Sequence, residues 1–153
     1  MKFTEKCSIF LEKDFSSKDE LFEFLSNKSK ELNICNDKEK LKIGLYDREK
    51  DGHTVIADMI AMPHCRIEEV KELRIIIVSL KKPIVYTEDE NIDLAYSIIS
   101  PLDCNDEFID HLMQIAIIAQ DDEFSKQLKN SKIGEEKKII SMIENILKLH
   151  NEI

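Results

Sequence analysis

Two apolar runs in the middle of the chain restrict its fold more than any other feature. Residues 73–80 read LRIIIVSL and residues 92–100 read IDLAYSIIS, so apolar side chains are nearly continuous in both. Such strands are typically buried on both faces, which predicts two strands inside a covered sheet. No helical segment separates them, which argues against a purely parallel, Rossmann-type sheet.

Helix start signals follow the N-terminal segment. Ser17 with Glu20 three residues later has the spacing of a capping box, and apolar residues follow at helical intervals. Asn36 and Glu39 repeat the signal for a second helix, which we expect to end near Tyr46.

The C-terminal third predicts three more helices. Asn105 can cap the first, the second covers about residues 124–128, and the third begins near Glu135. The inward-facing side chains are Phe108, Leu112, Ile115 and Ala119 in the first helix, and Ile139, Ile143, Ile146 and Leu147 in the last.

Two further strands complete the predicted sheet. Residues 9–11 form a short first strand, and residues 54–62 form a buried strand that stops at Pro63, because proline cannot donate to a strand ladder. The order is then one strand, two helices, three strands and the final helices. We therefore predict an α/β (α+β) fold with a central mixed β-sheet flanked by helices, in a single domain of residues 1–153.

The charge of the chain limits its partners. The net charge is −9 and the Lys and Arg residues are scattered, so a nucleic-acid partner is not expected. Residues 83–125 contain no Lys or Arg but eleven acidic side chains. This acidic segment is either a solvated face or a docking surface for a basic partner, and the sequence leaves both interpretations open.

The same sequence predicts a cytoplasmic protein. It has no apolar run of the roughly 20 residues that a membrane-spanning helix needs, and charges interrupt its N-terminal apolar segment. The four cysteines form no CxxC pair, which favours reduced thiols over a disulfide framework or a metal site.

Among the motifs that carry chemistry, one histidine is the leading candidate. The chain has no glycine-rich phosphate loop, no GxSxG and no HExxH, so no nucleotide cofactor, serine nucleophile or zinc site is implied. His64 follows Pro63 at a predicted strand end, where a side chain is both fixed and reachable. A neutral imidazole there can attack phosphorus and relay a phosphoryl group, although an ordinary surface histidine fits the same pattern.

A longer stretch around this histidine resembles a known signature. Residues 47–66, DREKDGHTVIADMIAMPHCR, are similar to the enzyme IIA signature of the fructose/mannitol phosphotransferase family. The matching residues are Arg48, Glu49, Thr54, Ala61, Pro63 and His64. Downstream, Lys82-Pro83-Ile84 resembles a Pro-Ile turn of the family. His111-Leu112 resembles a His-Leu pair near the start of the helix after the last strand, in which the histidine is the family's second one. The resemblance in element order covers about residues 5–148.

The resemblance implies a phosphoryl carrier without a cofactor. His64 would accept the phosphoryl group from the phosphocarrier protein HPr and pass it to the IIB component of a sugar permease, which is its only link to a membrane. Arg48 would brace the phosphoryl oxygens. His111 would lie beside His64 and fix its tautomer or bond the phosphate, while Thr54 and Glu49 would support binding.

Departures from the family pattern leave the branch of the family open. Val55, Ala57, Asp58 and Met59 stand where glycines and small residues are usual. Strand alternation puts Asp58 on the face of His64, where it would repel phosphate. The alternative to sugar transport is therefore a regulatory enzyme IIA-like module, either nitrogen-type or attached to a transcriptional regulator.

Overall fold

The computed structural model describes residues 2–152, which form one mixed sheet, a short 3-10 helix and five α-helices. The strands are β1 (Cys7–Lys13), β2 (Val55–Ala57), β3 (Ile60–Ala61), β4 (His64–Arg66), β5 (Arg74–Val85) and β6 (Asn91–Ser100). The helices are the 3-10 turn Phe3–Lys6, α1 (Lys18–Glu31), α2 (Lys38–Lys50), α3 (Asn105–Ala119), α4 (Asp122–Asn130) and α5 (Glu136–Leu149).

The sheet is mixed, as predicted. Its order is β1-β5-β6-β3-β2, and β4 pairs with the same strand β6 as β3 does. The two apolar runs, β5 and β6, are antiparallel neighbours, whereas β1 runs parallel to β5, and β3 and β4 run parallel to β6. Strand β2 folds back antiparallel on β3.

Apolar side chains fill both faces of the sheet, because β5 and β6 bury alternate residues on opposite sides. Ile75 and Ile77 pack with the helices α3, α4 and α5, while Ile76 and Val78 pack with α1 and α2. In β6, Leu94, Tyr96 and Ile98 face the α3 side. The result is three layers, which places β4 between α2 and α3.

The predicted single strand over residues 54–62 was wrong. It is a hairpin, in which Ala57 pairs with Ile60 across a two-residue turn of Asp58 and Met59. Met59 has a φ of 64°, in the left-handed region that reverses the chain. The chain then enters β4 at His64, so this histidine begins a strand rather than ending one.

Three smaller boundaries also differ from the sequence predictions. The second helix begins after Asp37, whose carboxylate accepts from the Lys40 amide, and it continues past Tyr46 to Lys50. The cap position of α3 is Cys104, and Asn105 is the first helical residue. The side-chain oxygen of Asn105 accepts a hydrogen bond from Arg66 instead of capping the helix.

The segment Lys82-Pro83-Ile84 is not a turn but part of β5. Regular pairing with β6 is interrupted between Ser79 and Ile84, and residues 81–83 are exposed. Proline is tolerated there because no ladder partner needs its missing N–H.

In the part of the chain that the structure describes, no helix has the length and apolar character to cross a membrane.

Candidate active site around His64

His64 is the first residue of β4 and lies between two layers of helices. Strand β4 runs beside β6, with His64 opposite Ile98. Its ring centroid is 5.7 Å from that of Phe108 on α3, and only 8% of the residue is exposed. A rigid strand and a neighbouring aromatic ring therefore fix the imidazole at the wall of a cleft.

The hydrogen bonds of His64 define its tautomer. Its Nδ1 lies 2.8 Å from the carbonyl oxygen of Met62, which can only accept, so Nδ1 carries the proton. Nε2 then has the lone pair, and it accepts from Nε of Arg48 at 3.0 Å. This tautomer makes Nε2 the nucleophilic atom.

The surroundings also keep the ring neutral. Burial lowers the pKa of His64 below its ordinary 6.5, and the positive charges of Arg48 and Arg66 lower the pKa further. A carbonyl at Nδ1 partly opposes this effect, since it favours the protonated form. The lone pair of Nε2 is therefore available at neutral pH.

Arg48 reaches the ring from the last turn of α2. Its Nη1 donates to the carbonyl of Gly52 at 2.8 Å, so the guanidinium is held at two points. Together with Asp47, Asp51 and His64 it lines a cleft of about 470 Å³. Arg48 therefore lies within one hydrogen bond of Nε2 of His64, while its role in bracing phosphoryl oxygens stays a prediction.

Glu49 and Thr54 form a buried brace under this cleft. The hydroxyl of Thr54 donates to the Glu49 carboxylate at 2.5 Å, and the Thr54 amide donates to the same group at 3.3 Å. Since that hydroxyl has given its proton to Glu49, it accepts from Tyr86 at 2.9 Å. The ammonium group of Lys18 lies 3.9 Å from Oε1 of Glu49 and offsets the negative charge of that carboxylate.

The Glu49–Thr54 pair connects α2 to the segment that leads into β4. Its hydrogen bonds close the loop between α2 and β2, and the carbonyl of Thr54 accepts from the amide of Met62 at 2.8 Å. Met62 is the residue that orients His64. Thr54 therefore acts on the loop geometry, while its hydroxyl is not free to bond a phosphate.

His111 is in a different environment from the one that the sequence suggested. It is buried on α3, where its Nδ1 is 2.6 Å from the side-chain oxygen of Gln114 and its ring packs edge-on against Phe3. It lines a separate cavity beneath the 3-10 helix, and no hydrogen bond among residues 2–152 joins it to His64. Its Nε2 has no partner in that same range. A role for His111 in phosphoryl transfer stays a prediction.

The residues that replace the usual glycines lie away from the nucleophile. Val55, Ala57, Asp58 and Met59 line an open depression beside the β2–β3 hairpin, not the cleft of His64. The expectation that Asp58 faces His64 was wrong, because the turn at Met59 breaks the alternation on which it rested. These side chains do not narrow the approach to His64.

Sequence reasoning missed three residues of the site. Arg66, Phe108 and Gly44 all line the cleft, and the thiol of Cys65 occupies the space that a Cβ on Gly44 would need. Burial raises the pKa of that thiol to about 12, so Cys65 is a packing residue there. The spacing of Arg66 two residues after His64 was a usable signal, but Phe108 is brought in only by the packing of α3. Among residues 2–152, no three His, Cys, Asp or Glu side chains are grouped to hold a metal ion.

Comparison with known proteins identifies the family. Residues 2–146 match the family model described as "Phosphoenolpyruvate-dependent sugar phosphotransferase system, EIIA 2". The chain belongs to this family. The resemblance seen around residues 47–66 is thereby confirmed, and the protein is a phosphocarrier domain of the enzyme IIA type.

Two of the similar proteins are nitrogen regulatory proteins. A nitrogen regulatory protein of Bradyrhizobium diazoefficiens is 24% identical over 119 residues, which are 76% of this chain and 77% of that protein. The nitrogen regulatory protein IIA-Ntr of Neisseria meningitidis has a similar fold, with a TM-score of 0.80 at 22% identity, covering 90% of this chain and 97% of that one.

A mannitol enzyme from Escherichia coli has the same fold. Its structure is that of a complex of enzyme IIA with phosphorylated enzyme IIB, and it matches with a TM-score of 0.70 at 18% identity, over 87% of this chain and 93% of that one. At these identities the structural matches establish the fold alone.

Proposed function

We propose that this protein is a phosphoryl carrier that accepts a phosphoryl group on Nε2 of His64 from HPr and passes it to a IIB component. One observation carries the proposal: the Nδ1–H tautomer directs a lone pair toward Arg48 in an open cleft. No other histidine of the signature region has this arrangement, since His53 is exposed in the loop before β2.

The transfer step needs no cofactor. The Nε2 lone pair attacks phosphorus of the donor phosphohistidine, and the new P–N bond forms as the donor's P–N bond breaks, its electron pair leaving on the donor imidazole. Nδ1 keeps its proton throughout, held by the carbonyl of Met62. Arg48, displaced from the lone pair, donates to the phosphoryl oxygens instead, where its planar fork compensates their charge.

The surface beside the cleft supports protein partners. Leu102, Ile109 and Met113 are each more than half exposed, and they adjoin Phe108 on the α3 side. Asp103, Asp106 and Asp110 of the acidic segment 83–125 are exposed and neighbour them in sequence, which suits a basic partner such as HPr. A IIB partner is supported by the complex formed by the similar mannitol enzyme. An exchange between these partners would take place in the cytoplasm.

A regulatory role is the second candidate. Both a curated relative and a structural neighbour are nitrogen regulatory proteins, so the same phosphorylation can report on the state of the relay instead of feeding a permease. The chemistry at His64 is the same in both cases. The two candidates differ in the acceptor, and the sequence does not specify a sugar.

The decisive experiment measures phosphoryl incorporation by intact mass after incubation with phosphoenolpyruvate, enzyme I and HPr. The wild-type protein should gain the mass of one acid-labile phosphoryl group, and His64→Ala should gain none. His53→Ala is the matched control and should label normally, because that side chain is exposed. Full labelling of His64→Ala would refute the assignment of the nucleophile. Onward transfer to a purified IIB domain then separates the transport role from the regulatory one.

A further inference from the structure

A second arginine, Arg66, lies at the cleft of His64 with part of its hydrogen-bonding capacity unused. It follows His64 by two residues on β4 and lines the same cleft. One nitrogen, Nη2, donates to the carbonyl of Leu102 at 2.9 Å and to the side chain of Asn105. Its Nε is buried and has no partner among residues 2–152.

Packing holds this guanidinium against the wall of the cleft. Its central carbon lies 4.8 Å from the centre of the Phe108 ring, the same ring that packs against the imidazole of His64. Arg66 and His64 therefore share one aromatic neighbour. A guanidinium that stacks on a ring and is hydrogen-bonded at one nitrogen has a fixed orientation. Its other N–H groups can therefore donate to a ligand without a further loss of side-chain entropy.

A buried N–H without an acceptor costs free energy, commonly about 1–3 kcal/mol, and such a group is usually explained by a ligand or a function. The acceptor that the proposed function brings to this cleft is a phosphoryl group with three anionic oxygens. Arg48 approaches it from α2, whereas Arg66 approaches from β4 and is tied to the start of α3. The carboxylates that line the cleft, Asp47 and Asp51, stand beside Arg48 in sequence.

We propose that Arg66 is a second phosphoryl-binding residue, whose Nε donates to the phosphoryl oxygens on His64 while Asn105 and the Leu102 carbonyl hold its Nη2. This inference rests on the proposed function of His64. It assigns the two arginines different tasks. Arg48 donates to the imidazole lone pair before transfer and to the phosphoryl oxygens after it. Arg66 contacts the phosphoryl group only after transfer has begun.

The test uses phosphoramidate as a small-molecule phosphoryl donor, followed by 31P NMR over a pH series, so that HPr docking does not enter. A neighbouring cation lowers the pKa of a phosphoryl group. Arg66→Gln should therefore shift the 31P titration midpoint to higher pH and slow phosphorylation by about tenfold or more. Arg66→Lys keeps the charge but loses the fork, so its midpoint should stay near the wild-type value while its rate is intermediate.

Two further variants separate this role from a structural one. Arg74 also has a buried Nε without a partner among residues 2–152, but it begins β5 outside the cleft. Arg74→Gln should leave the 31P midpoint unchanged. Asn105→Ala retains the Arg66 guanidinium and removes its tether, so it should slow phosphorylation with a smaller shift of the midpoint. If Arg66→Gln does not fold, the rate and the 31P midpoint of Asn105→Ala provide the test.

The outcomes are distinct. A wild-type midpoint in Arg66→Gln would overturn the proposal even if the rate fell, because a merely structural residue changes the rate without touching the charge of the phosphoryl group. Absence of any phosphoryl group on wild-type His64 would overturn the proposed function itself, and this inference with it.

Discussion

Replacing Gly44 tests the packing that places Arg48 beside His64. In a helix interior, Gly→Ala ordinarily stabilises by about 1 kcal/mol. Here a Cβ on Gly44 would lie 2.4 Å from Sγ of Cys65 and 3.3 Å from Cγ2 of Ile67. Non-bonded heavy atoms prefer about 3.5–4.0 Å, so α2 and β4 would have to separate by roughly 1 Å.

The two opposing effects set the expected magnitude. Overpacking costs about 1–3 kcal/mol, which exceeds the gain of about 1 kcal/mol in helix propensity. We expect Gly44→Ala to lower the free energy of unfolding by up to about 2 kcal/mol. Arg48 is one helical turn beyond Gly44, so the same displacement moves the guanidinium away from His64. Phosphorylation should slow by about 10- to 100-fold, as misplacements of about 1 Å do.

Urea denaturation of a double-mutant cycle with Cys65→Ala checks the reasoning. Cys65→Ala removes the sulfur that the new methyl group would strike, so Gly44→Ala in that background should stabilise by up to about 1 kcal/mol and restore most of the rate. The sign of the Gly44→Ala effect should thus reverse between the two backgrounds. If Gly44→Ala stabilises the protein that retains Cys65, then contact between α2 and β4 does not position Arg48.

Three further outcomes are expected. Arg48→Lys loses the Nε donor that contacts His64, so labelling by HPr should slow by about tenfold with an unchanged Tm; a wild-type rate would remove Arg48 from the mechanism. Thr54→Val deprives the buried Glu49 of its 2.5 Å hydrogen bond and should cost about 1–3 kcal/mol in urea melts, with a rate loss under about tenfold because the hydroxyl does not reach the phosphoryl group. The pKa of His64 is lowered in the folded protein from 6.5, so its contribution to unfolding free energy should be constant above that pH and decline below it, where the unfolded chain binds the proton first; His64→Gln should remove that decline, and an unchanged pH profile would contradict it.

The two central strands were predicted correctly for a physical reason. Because their apolar residues are nearly continuous, β5 and β6 are buried on both faces. The register of β6 then places Leu94, Tyr96 and Ile98 toward α3. The hairpin was not predictable in the same way, because Met59 adopts a left-handed φ that costs about 1–2 kcal/mol in a residue with a side chain. Its turn has none of the glycine or asparagine that usually marks one.

The candidate site was predicted only in part, since contacts from distant elements decide its details. Arg48 and His64 belong to one signature, so a shared site for them was expected. Phe108 and Tyr86 meet the site through packing between separate elements, which no local pattern records, whereas the spacing of Arg66 two residues after His64 was available in the sequence. The tautomer of His64 depends on the carbonyl of Met62, whose direction is set by the short connection between β3 and β4 and is not evident from the sequence.

The hydrogen bond between Arg48 and His64 has a consequence for partner recognition if the proposed function holds. The guanidinium already lies 3.0 Å from the atom that would receive the phosphoryl group, and the Gly52 carbonyl anchors its far end. Phosphorylation would then exchange one acceptor for another at the same cation, and no backbone element would have to move. The two forms would differ little in shape, so a partner has to sense the roughly 1.5 to 2 negative charges that a phosphoryl group adds. Selectivity between the loaded and unloaded carrier would then weaken as added salt screens those charges, even where the contact area stays the same.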